Sequence, residues 1–368
     1  MQLTDVELIP VFSTREMGRT CPSDPEKSIS HHVVVQLHTD SEYLGLGEMS
    51  DVPWEITRQG LDQLRRRIHQ SLQGRDLLAL GPLVADLEKE TWEHQMLCGI
   101  ETALHDLAGK ALGIPVCQIL GGRFRDHIAF AYPLAPCKSA ADKDANLDRI
   151  ERLLDLGHDT IRYYFGANLD MDETFLVEMR DRWGNQVQIN ALDASGRFEV
   201  EEAIKVIHRL APFGPNLFES PVRGRHNAPV EDFLAVKDAV STPIGEHIAS
   251  DECGVRFAAS GAIDVFNTGL GYSGFHQCRR MFTLAHLFNI KALMGSTVEL
   301  SIGTAARAHM AAAVTHLDFP CYMAGPLVYQ EQIVKERIVY EQGHITVPDG
   351  PGLGLELDQD HLAAQRLW

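Results

Sequence analysis

The chain has 368 residues, of which 45% are hydrophobic and 23% charged, an ordinary composition for a globular protein of two domains or one large barrel. Its formal net charge of −18 argues against a nucleic acid partner, because phosphate binding needs a basic surface. An anionic small substrate is compatible with this charge, since a bound metal ion reverses the field around it.

Two further features bear on the compartment. No stretch of about 18 apolar residues is present, so no membrane span is expected, and the N-terminus "MQLTDVELIPVF" lacks the pattern of a signal peptide. The seven cysteines are scattered, odd in number and never spaced as C-x-x-C. This usage favours reduced thiols, so a cytoplasmic location is expected.

The first part of the chain reads as strands followed by helices. "HHVVVQLHTD" (31–40) and "LGLGEMS" (44–50) are typical of strands with turns. "GIETALHDLAGKALG" (99–113) has apolar residues at helical spacing and closes with Gly113, which predicts a helix and its end.

From about residue 126 the pattern changes to short apolar runs that alternate with amphipathic helices. Alternation over nearly 200 residues predicts a parallel sheet, and seven such units favour a closed α/β barrel over an open sheet. The tail "IVYEQGHITVPDGPGLGLEL" returns to strands and turns and is expected to pack back on the N-terminal part.

Because the active site of an α/β barrel lies at the carboxyl ends of the strands, polar residues at those positions are the candidates. The second to seventh predicted strands end in Arg162 and Tyr164, Asp193, Glu219, Glu246 and His247, Asn267, and Ser296, Thr297 and Glu299. Asp193, Glu219 and Glu246 fall on three successive strands at nearly equal spacing, so they converge. Converging carboxylates need a cation, and oxygen ligands favour Mg²⁺. Strand alternation puts Glu246 and His247 on opposite faces, so only one of them is expected to reach the metal.

Together these pieces resemble the enolase superfamily, in its mandelate racemase and muconate-lactonising branch. The resemblance rests on "GIETALHDLAGKALGIPVCQILGG", "LGLGEMS", "ALDASG", "LFESP" and "IGEHIAS". It implies an α+β capping domain (1–125), a modified TIM barrel of the (β/α)₇β type (126–322) and a C-terminal segment (323–368) that returns to the capping domain. It also implies one Mg²⁺, a carboxylate substrate that loses its α proton, and assembly as a homo-oligomer.

The departures from that family define the site. Arg162-x-Tyr164 stands where most members of the branch carry Lys-x-Lys, and neither the His–Asp pair of the racemases nor the strand-six lysine of the cycloisomerases is present. We therefore expect Tyr164 to act as the base and Arg162 to favour its phenolate. Asn267, Thr297 and Glu299 are predicted to bind substrate.

An Arg–Tyr dyad of this kind resembles a galactarate dehydratase subgroup, which implies β-elimination of water from an acid sugar, the reaction of a hydro-lyase. That subgroup uses a histidine as its fifth-strand ligand, and its general acid is a tyrosine before the "GIETALHDL" helix. Here that stretch, "ETWEHQMLCG", has no tyrosine, and Glu93 or His94 is expected to substitute.

Three alternatives remain. An epimerase, racemase or cycloisomerase of the same fold would use Tyr164 without losing water. "GLGYSG" (269–274) fits the dinucleotide fingerprint of a nicotinamide-dependent dehydrogenase, but the acid expected about 20 residues later is missing. A non-catalytic binding protein would leave the predicted ligand set without a purpose.

Overall fold

A computed structural model describes residues 1–21, 24–272, 274–329 and 333–368, and within residues 15–28 it describes only the backbone. The side chains of most of the segment "STREMGRTCPSD" (13–24), including that of Cys21, therefore lie outside the described part of the structure.

The N-terminal capping domain is an antiparallel sheet covered by helices. Its elements are β1 (Leu3–Cys21), β2 (Asp24–Thr39), β3 (Leu44–Met49), α1 (Arg58–Leu72), α2 (Leu80–Leu87) and α3 (His94–Leu112). Helix α3 ends at Gly113, whose φ of 69° suits glycine. It lies directly on β3, because a Cβ at Gly47 would stand 2.1 Å from the carbonyl oxygen of Gly99. The glycine thus sets how closely helix and sheet approach.

A short helix, α4 (Val116–Ile119), and strand β4 (His127–Ala129) lead into seven parallel strands in sequential order. These strands are β5 (Tyr132–Leu134), β6 (Thr160–Tyr164), β7 (Gln188–Asp193), β8 (Leu217–Glu219), β9 (Ile244–His247), β10 (Val265–Thr268) and β11 (Lys291–Met294). The helices that follow them are α5 (Ala140–Asp155), α6 (Leu169–Trp183), α7 (Val200–Leu210), α8 (Val230–Ala239), α9 (Asp251–Ser260), α10 (Gly274–Leu287) and α11 (Ser301–Ala313). The predicted α/β fold with a TIM-type barrel and a capping domain is confirmed.

An extended segment closes the barrel between β11 and β5. The backbone N–H of Tyr322 donates to Met294 O at 2.9 Å on one side. On the other side Cys321 N–H donates to Ala129 O and Ala131 N–H donates to Cys321 O, both at 2.8 Å. The segment around Cys321 and Tyr322 therefore takes the position of an eighth strand in the barrel.

One layer of small and apolar side chains fills the barrel axis, and it shows which face of each strand points inward. The layer consists of Ala131, Ala191, Leu217, Val265, Leu293 and Tyr322. Since side chains alternate along a strand, residues two positions further on also point inward. Those residues are Asp193, Glu219 and Asn267, which stand directly above the apolar layer.

The C-terminal segment contains α12 (Gly325–Val328), β12 (Tyr340–Glu341), β13 (His344–Thr346) and α13 (Gln359–Gln365). Strand β13 pairs with β4 at the entrance to the barrel, and the end of the chain reaches the capping sheet, where Leu367 N–H donates to Pro10 O at 3.0 Å. None of the described helices is long and apolar enough to cross a membrane.

Candidate active site

The register of the parallel strands brings the predicted residues to one level of the barrel mouth. Tyr164 pairs with Asp193, Asp193 with Glu219, and Glu219 with Gly245. Paired residues on adjacent parallel strands point to the same side of the sheet. Tyr164, Asp193 and Glu219 therefore project together into the mouth.

Arg162 lies one layer deeper in the barrel and contacts Tyr164, Asp193 and Glu219. Its Nη1 donates to Tyr164 Oη at 2.7 Å, its Nη2 lies 2.5 Å from Asp193 Oδ2, and its Nε lies 3.0 Å from Glu219 Oε2. The guanidinium also stacks on the ring of Tyr322, with Cζ 4.1 Å from the ring centroid. A buried cation, only 4% exposed, thus holds the phenol and two acids in one cluster.

Two opposing influences act on the phenol of Tyr164. Burial raises its pKa, and the adjacent charge of Arg162 lowers it in part. Asp193 and Glu219 raise it further. Any additional cation held by the two acids would act in the same direction as Arg162, because it would favour the phenolate.

His247 points into the barrel on the same side as Asp193 and Glu219, whereas Glu246 points away from it. Gly245 pairs with both Glu219 and the axial residue Val265, so Gly245 and His247 point inward. His247 Nε2 lies 3.1 Å from Glu219 Oε1. Asn267 is on the same side and also donates to Glu219 Oε1. The pairing of β9 with β8 therefore shows which of the two candidates, Glu246 or His247, points inward.

Glu246 points behind the mouth. Its Oε1 accepts hydrogen bonds from Ser220 Oγ at 2.8 Å and from the backbone N–H of His247 at 2.6 Å. Its Oε2 is buried and has no hydrogen-bond partner among the described residues. Burial without a full set of partners raises the pKa of Glu246 to about 8.

The contacts of His247 are compatible with a ring that presents Nε2 to a cation. Ser220 Oγ donates to Glu246 and lies 3.0 Å from His247 Nδ1, a contact that is satisfied when the ring donates from Nδ1. Burial, together with Arg225 and Arg162, lowers the pKa of His247 well below its ordinary value. In the Nδ1–H tautomer the lone pair of Nε2 faces the carboxylate of Glu219, an arrangement that a cation between them would stabilise.

These donors fit Mg²⁺. Asp193 and Glu219 supply carboxylate oxygens and His247 supplies an imidazole nitrogen, and all three side chains are buried at the barrel mouth. Enolase-superfamily sites stabilise an enediolate with Mg²⁺. The cofactor expected from the sequence agrees with the groups present.

The remaining predicted residues lie elsewhere. Thr297 and Glu299 belong to a buried network, in which Arg307 donates to Thr297 Oγ1 at 3.0 Å and lies 3.3 Å from Glu299 Oε2. Above them the carboxylate of Glu48 accepts two backbone N–H groups of α11, from Leu300 and Gly303, both at 2.8 Å. In the described structure no contact joins Thr297 or Glu299 to Asp193 or Glu219.

His94 begins helix α3, and Glu93 is the residue before it. His94 lines a cavity of about 420 Å³ together with His226 and Ser250, which follow β8 and β9, and Arg256 of α9. It is therefore near the rim of the barrel, but no described hydrogen bond connects it to Tyr164.

Two residues of the mouth were missed by the sequence reasoning. Tyr272 follows β10 within "GLGYSG", and its ring lies 6.1 Å from that of His247 in an edge-to-face arrangement. Arg225 follows β8 and interacts electrostatically with Glu246, Tyr272, Asp193 and Glu219. Tyr272 could have been predicted as a site residue, because its phenol lies in a loop at the carboxyl end of a strand. No feature of the sequence identifies Arg225 as a site residue.

A second group of possible metal ligands lies away from the mouth, between α3 and α10. It consists of Glu101, His105 and His276. Glu101 Oε1 already accepts the backbone N–H of His276 at 2.9 Å and lies 2.5 Å from its Nδ1. The carboxylate thus anchors the first turn of α10 to the capping helix.

Comparison with known proteins agrees with this architecture. Residues 146–361 match the family described as Enolase C-terminal domain-like, and residues 25–121 match the Mandelate racemase / muconate lactonizing enzyme, N-terminal domain. The chain therefore belongs to the mandelate racemase and muconate lactonizing enzyme branch of the enolase superfamily.

Cycloisomerases and epimerases are among the relatives of this chain. Muconate cycloisomerase 1 of Pseudomonas putida is 31% identical over 268 residues, 72% of this chain and 70% of the relative. The L-Ala-D/L-Glu epimerase of Bacillus subtilis is 27% identical over 340 residues, 88% of each chain. The crystal structure of a muconate lactonizing enzyme from Pseudomonas fluorescens, complexed with muconolactone, superimposes with a TM-score of 0.88 at 25% identity and covers 99% of both chains.

These matches correct two expectations. The resemblance to a galactarate dehydratase subgroup is wrong, since the relatives are cycloisomerases and epimerases. The assignment as a lyase that dehydrates an acid sugar is wrong for the same reason. The Arg162-x-Tyr164 pair was insufficient to predict the reaction class. It defines one proton-transfer group, whereas the reaction class also depends on the other residues of the barrel mouth.

Proposed function

We propose that this enzyme catalyses an Mg²⁺-dependent isomerisation of a carboxylate, in which the Arg162–Tyr164 dyad transfers the proton at the α carbon. The observation that carries the proposal is the hydrogen bond of 2.7 Å between Arg162 Nη1 and Tyr164 Oη, at the level of the two acids. No water is gained or lost in such a reaction, in keeping with the isomerase relatives.

Asp193, Glu219 and His247 would hold the ion, and Asn267 would orient Glu219 through its hydrogen bond. When bound, the ion supplies electrostatic stabilisation for the negative charge that develops on the substrate carboxylate as the α proton leaves. Of the two candidates that the sequence left open, this proposal takes His247 as the third ligand and gives Glu246 the role of fixing the ring through Ser220.

Tyr164 Oη is the group that exchanges the proton. Arg162 remains charged throughout and donates its N–H to the phenolic oxygen, so it stabilises the phenolate when the proton has left the phenol. It also keeps Asp193 and Glu219 on the opposite side of its guanidinium, away from the phenol's proton.

Cycloisomerisation is the reaction that this one-sided dyad supports best. In the lactone-forming direction, a carboxylate oxygen of an unsaturated acid such as muconate adds to the double bond, and Tyr164 gives its proton to the α carbon. In the reverse direction the phenolate removes that proton as the ring C–O bond breaks. One proton-transfer group on one face is sufficient for both directions.

Epimerisation is the second candidate, and Tyr272 favours it. Strands β6 and β10 are separated by three strands, so Tyr164 and Tyr272 stand on opposite walls of the mouth. A phenol on each side of the substrate could remove the proton from one face and return a proton to the other.

The test is incubation of the enzyme with Mg²⁺ in D₂O and a panel of carboxylates that includes muconate, muconolactone and dipeptides, followed by NMR. We expect deuterium at the α carbon and an isomeric product, both abolished by EDTA and by Tyr164→Phe. Loss of activity in Tyr272→Phe as well would favour epimerisation. Full activity of Tyr164→Phe, or a 2-keto product formed by loss of water, would contradict the proposal.

A further inference from the structure

Arg225 is a second cation at the barrel mouth that the proposed proton transfer does not use. It lies in the short turn Arg225–Asn227 after β8, and the field of its guanidinium reaches the acids Glu246, Asp193 and Glu219 as well as Tyr272. It also acts on Tyr164 and His247. Arg225 therefore faces the same space as the dyad and the metal ligands.

This guanidinium has no ion-pair partner among the described residues. Its Nε is buried and makes no hydrogen bond to any of them. Arg223, two residues earlier in the same loop, behaves differently, because its side chain is 62% exposed and pairs with Glu199. A partly buried guanidinium without a partner is costly unless a ligand supplies the acceptors.

The backbone holds Arg225 in a conformation that an ordinary residue avoids. Its φ is 54°, in the left-handed region that favours glycine. Two hydrogen bonds fix this geometry: Arg225 N–H donates to Val222 O at 3.1 Å, and Ala228 N–H donates to Arg225 O at 2.9 Å. A glycine would relieve the strain, so the arginine side chain is kept at an energetic disadvantage.

The neighbouring loop leaves room for the side chain. A Cβ at Gly196 would stand 2.5 Å from Cγ and 3.3 Å from Cδ of Arg225. Gly196 lies in "ALDASG", three residues after the ligand Asp193, and its N–H donates to Ser220 O at 2.7 Å. The absence of a side chain at Gly196, in the loop that follows β7, therefore makes room for the Arg225 side chain.

We propose that Arg225 binds a second carboxylate of the substrate, so that the enzyme selects dicarboxylates. The proposal rests on the isomerase function above, in which the first carboxylate would bind to the ion that Asp193, Glu219 and His247 hold. A planar guanidinium with free N–H groups matches a carboxylate in bidentate geometry, whereas a phosphate would call for further donors that this loop does not offer. Arg225 thus determines specificity and takes no part in the proton transfer.

The test measures binding, independently of turnover. Calorimetry on the Mg²⁺-loaded protein compares glutarate and adipate with their monoamides, which have nearly the same shape but one charge less. We expect one of the two dicarboxylates to bind at least roughly tenfold more tightly than its monoamide, as a charged hydrogen-bonded pair predicts. Arg225→Gly and Arg225→Gln should remove this preference, and Gly196→Ala should weaken it.

Arg223→Gln is the matched control, because it removes the same charge from the same loop and should keep the preference. Arg225→Gly should also unfold at the same or a higher temperature than the wild type, since glycine suits the backbone there. No preference in the wild type, a preference retained by Arg225→Gly, or a clear fall in its unfolding temperature would each overturn the proposal. Absence of α-proton exchange in D₂O despite selective dicarboxylate binding would instead contradict the isomerase function alone.

Discussion

Arg162 and Tyr164 point into the same space from the same strand, two residues apart, and a hydrogen bond of 2.7 Å joins guanidinium to phenol. The same guanidinium contacts Asp193 and Glu219, so the proton-transfer group and the candidate metal ligands form one hydrogen-bonded unit. The protonation state of Tyr164 therefore depends on the charges of Arg162, Asp193 and Glu219.

Removal of the phenolic hydroxyl should abolish proton transfer and leave the fold intact. Tyr164→Phe is expected to lower the rate of α-proton exchange on the order of 10²–10⁴-fold, because it removes a positioned proton-transfer group. Mg²⁺ affinity, measured by calorimetry, should change little. Tyr163→Phe is the matched control: Tyr163 faces away from the mouth and bonds Asp172 and Cys137, so its loss should cost about 1–3 kcal/mol of stability and preserve exchange.

The charge of Arg162 should set the pH at which the enzyme becomes active. Burial raises the pKa of Tyr164 and Arg162 opposes this rise, so removal of the guanidinium should raise the pKa further. In the direction that removes the α proton Tyr164 must be deprotonated, and the rate of that direction therefore climbs with pH along the acidic limb of the profile. In Arg162→Gln this limb should move to higher pH, as measured by the pH dependence of kcat/KM. A reduced rate with an unshifted limb would mean that Arg162 only orients substrate.

The third metal ligand can be identified by a pair of adjacent substitutions. His247→Ala should weaken Mg²⁺ binding strongly, since it removes the imidazole that faces Glu219, whereas Glu246→Gln should retain most of the affinity. An imidazole in the ligand set also predicts that Ni²⁺ binds more tightly than Mg²⁺ in the wild type, because imidazole nitrogen ligands suit Ni²⁺ better than Mg²⁺. Calorimetric titration of the three proteins with both ions decides between the ligands, and the reverse order of affinities would restore Glu246.

Glu246 should make the protein less stable as the pH rises. Its pKa is raised to about 8 by burial, so above the pKa of the unfolded chain, about 4.3, ionisation is more favourable in the unfolded state. The free energy of unfolding measured in EDTA should therefore fall between about pH 5 and pH 8 and then level off. Glu246→Gln should lack this component, so its advantage over the wild type grows across that window. Parallel curves for the two proteins in urea titrations at pH 5, 6, 7 and 8 would rule out the effect.

The sequence was sufficient for the barrel and for the inward acids, because one acid recurs in each of successive strand–helix units and parallel strands bring those positions to one rim. It was not sufficient to choose between Glu246 and His247. Alternation separates the two, but only the pairing of Gly245 with Glu219 and Val265 tells which face is inward.

The loops were harder to predict. The position of Arg225 depends on a left-handed backbone and on the space left by Gly196, both of which arise from tertiary packing. Tyr272 was hidden within a glycine pattern that was weighed only for nucleotide binding. The dehydratase expectation failed for a related reason: reaction class depends on what stands across the mouth from Tyr164, and that is fixed by the three-dimensional arrangement of these loops.

The carboxylate of Glu48 has a consequence for how such enzymes diversify. It belongs to the capping sheet, yet it accepts two backbone N–H groups at the start of α11, where the helix dipole is positive. Together with Glu101, which anchors α10 to α3, this acid therefore holds the capping domain on the barrel. A chimera that joins this barrel to a foreign N-terminal domain should assemble only if that domain brings equivalent acids, so the two domains are constrained to evolve as a pair.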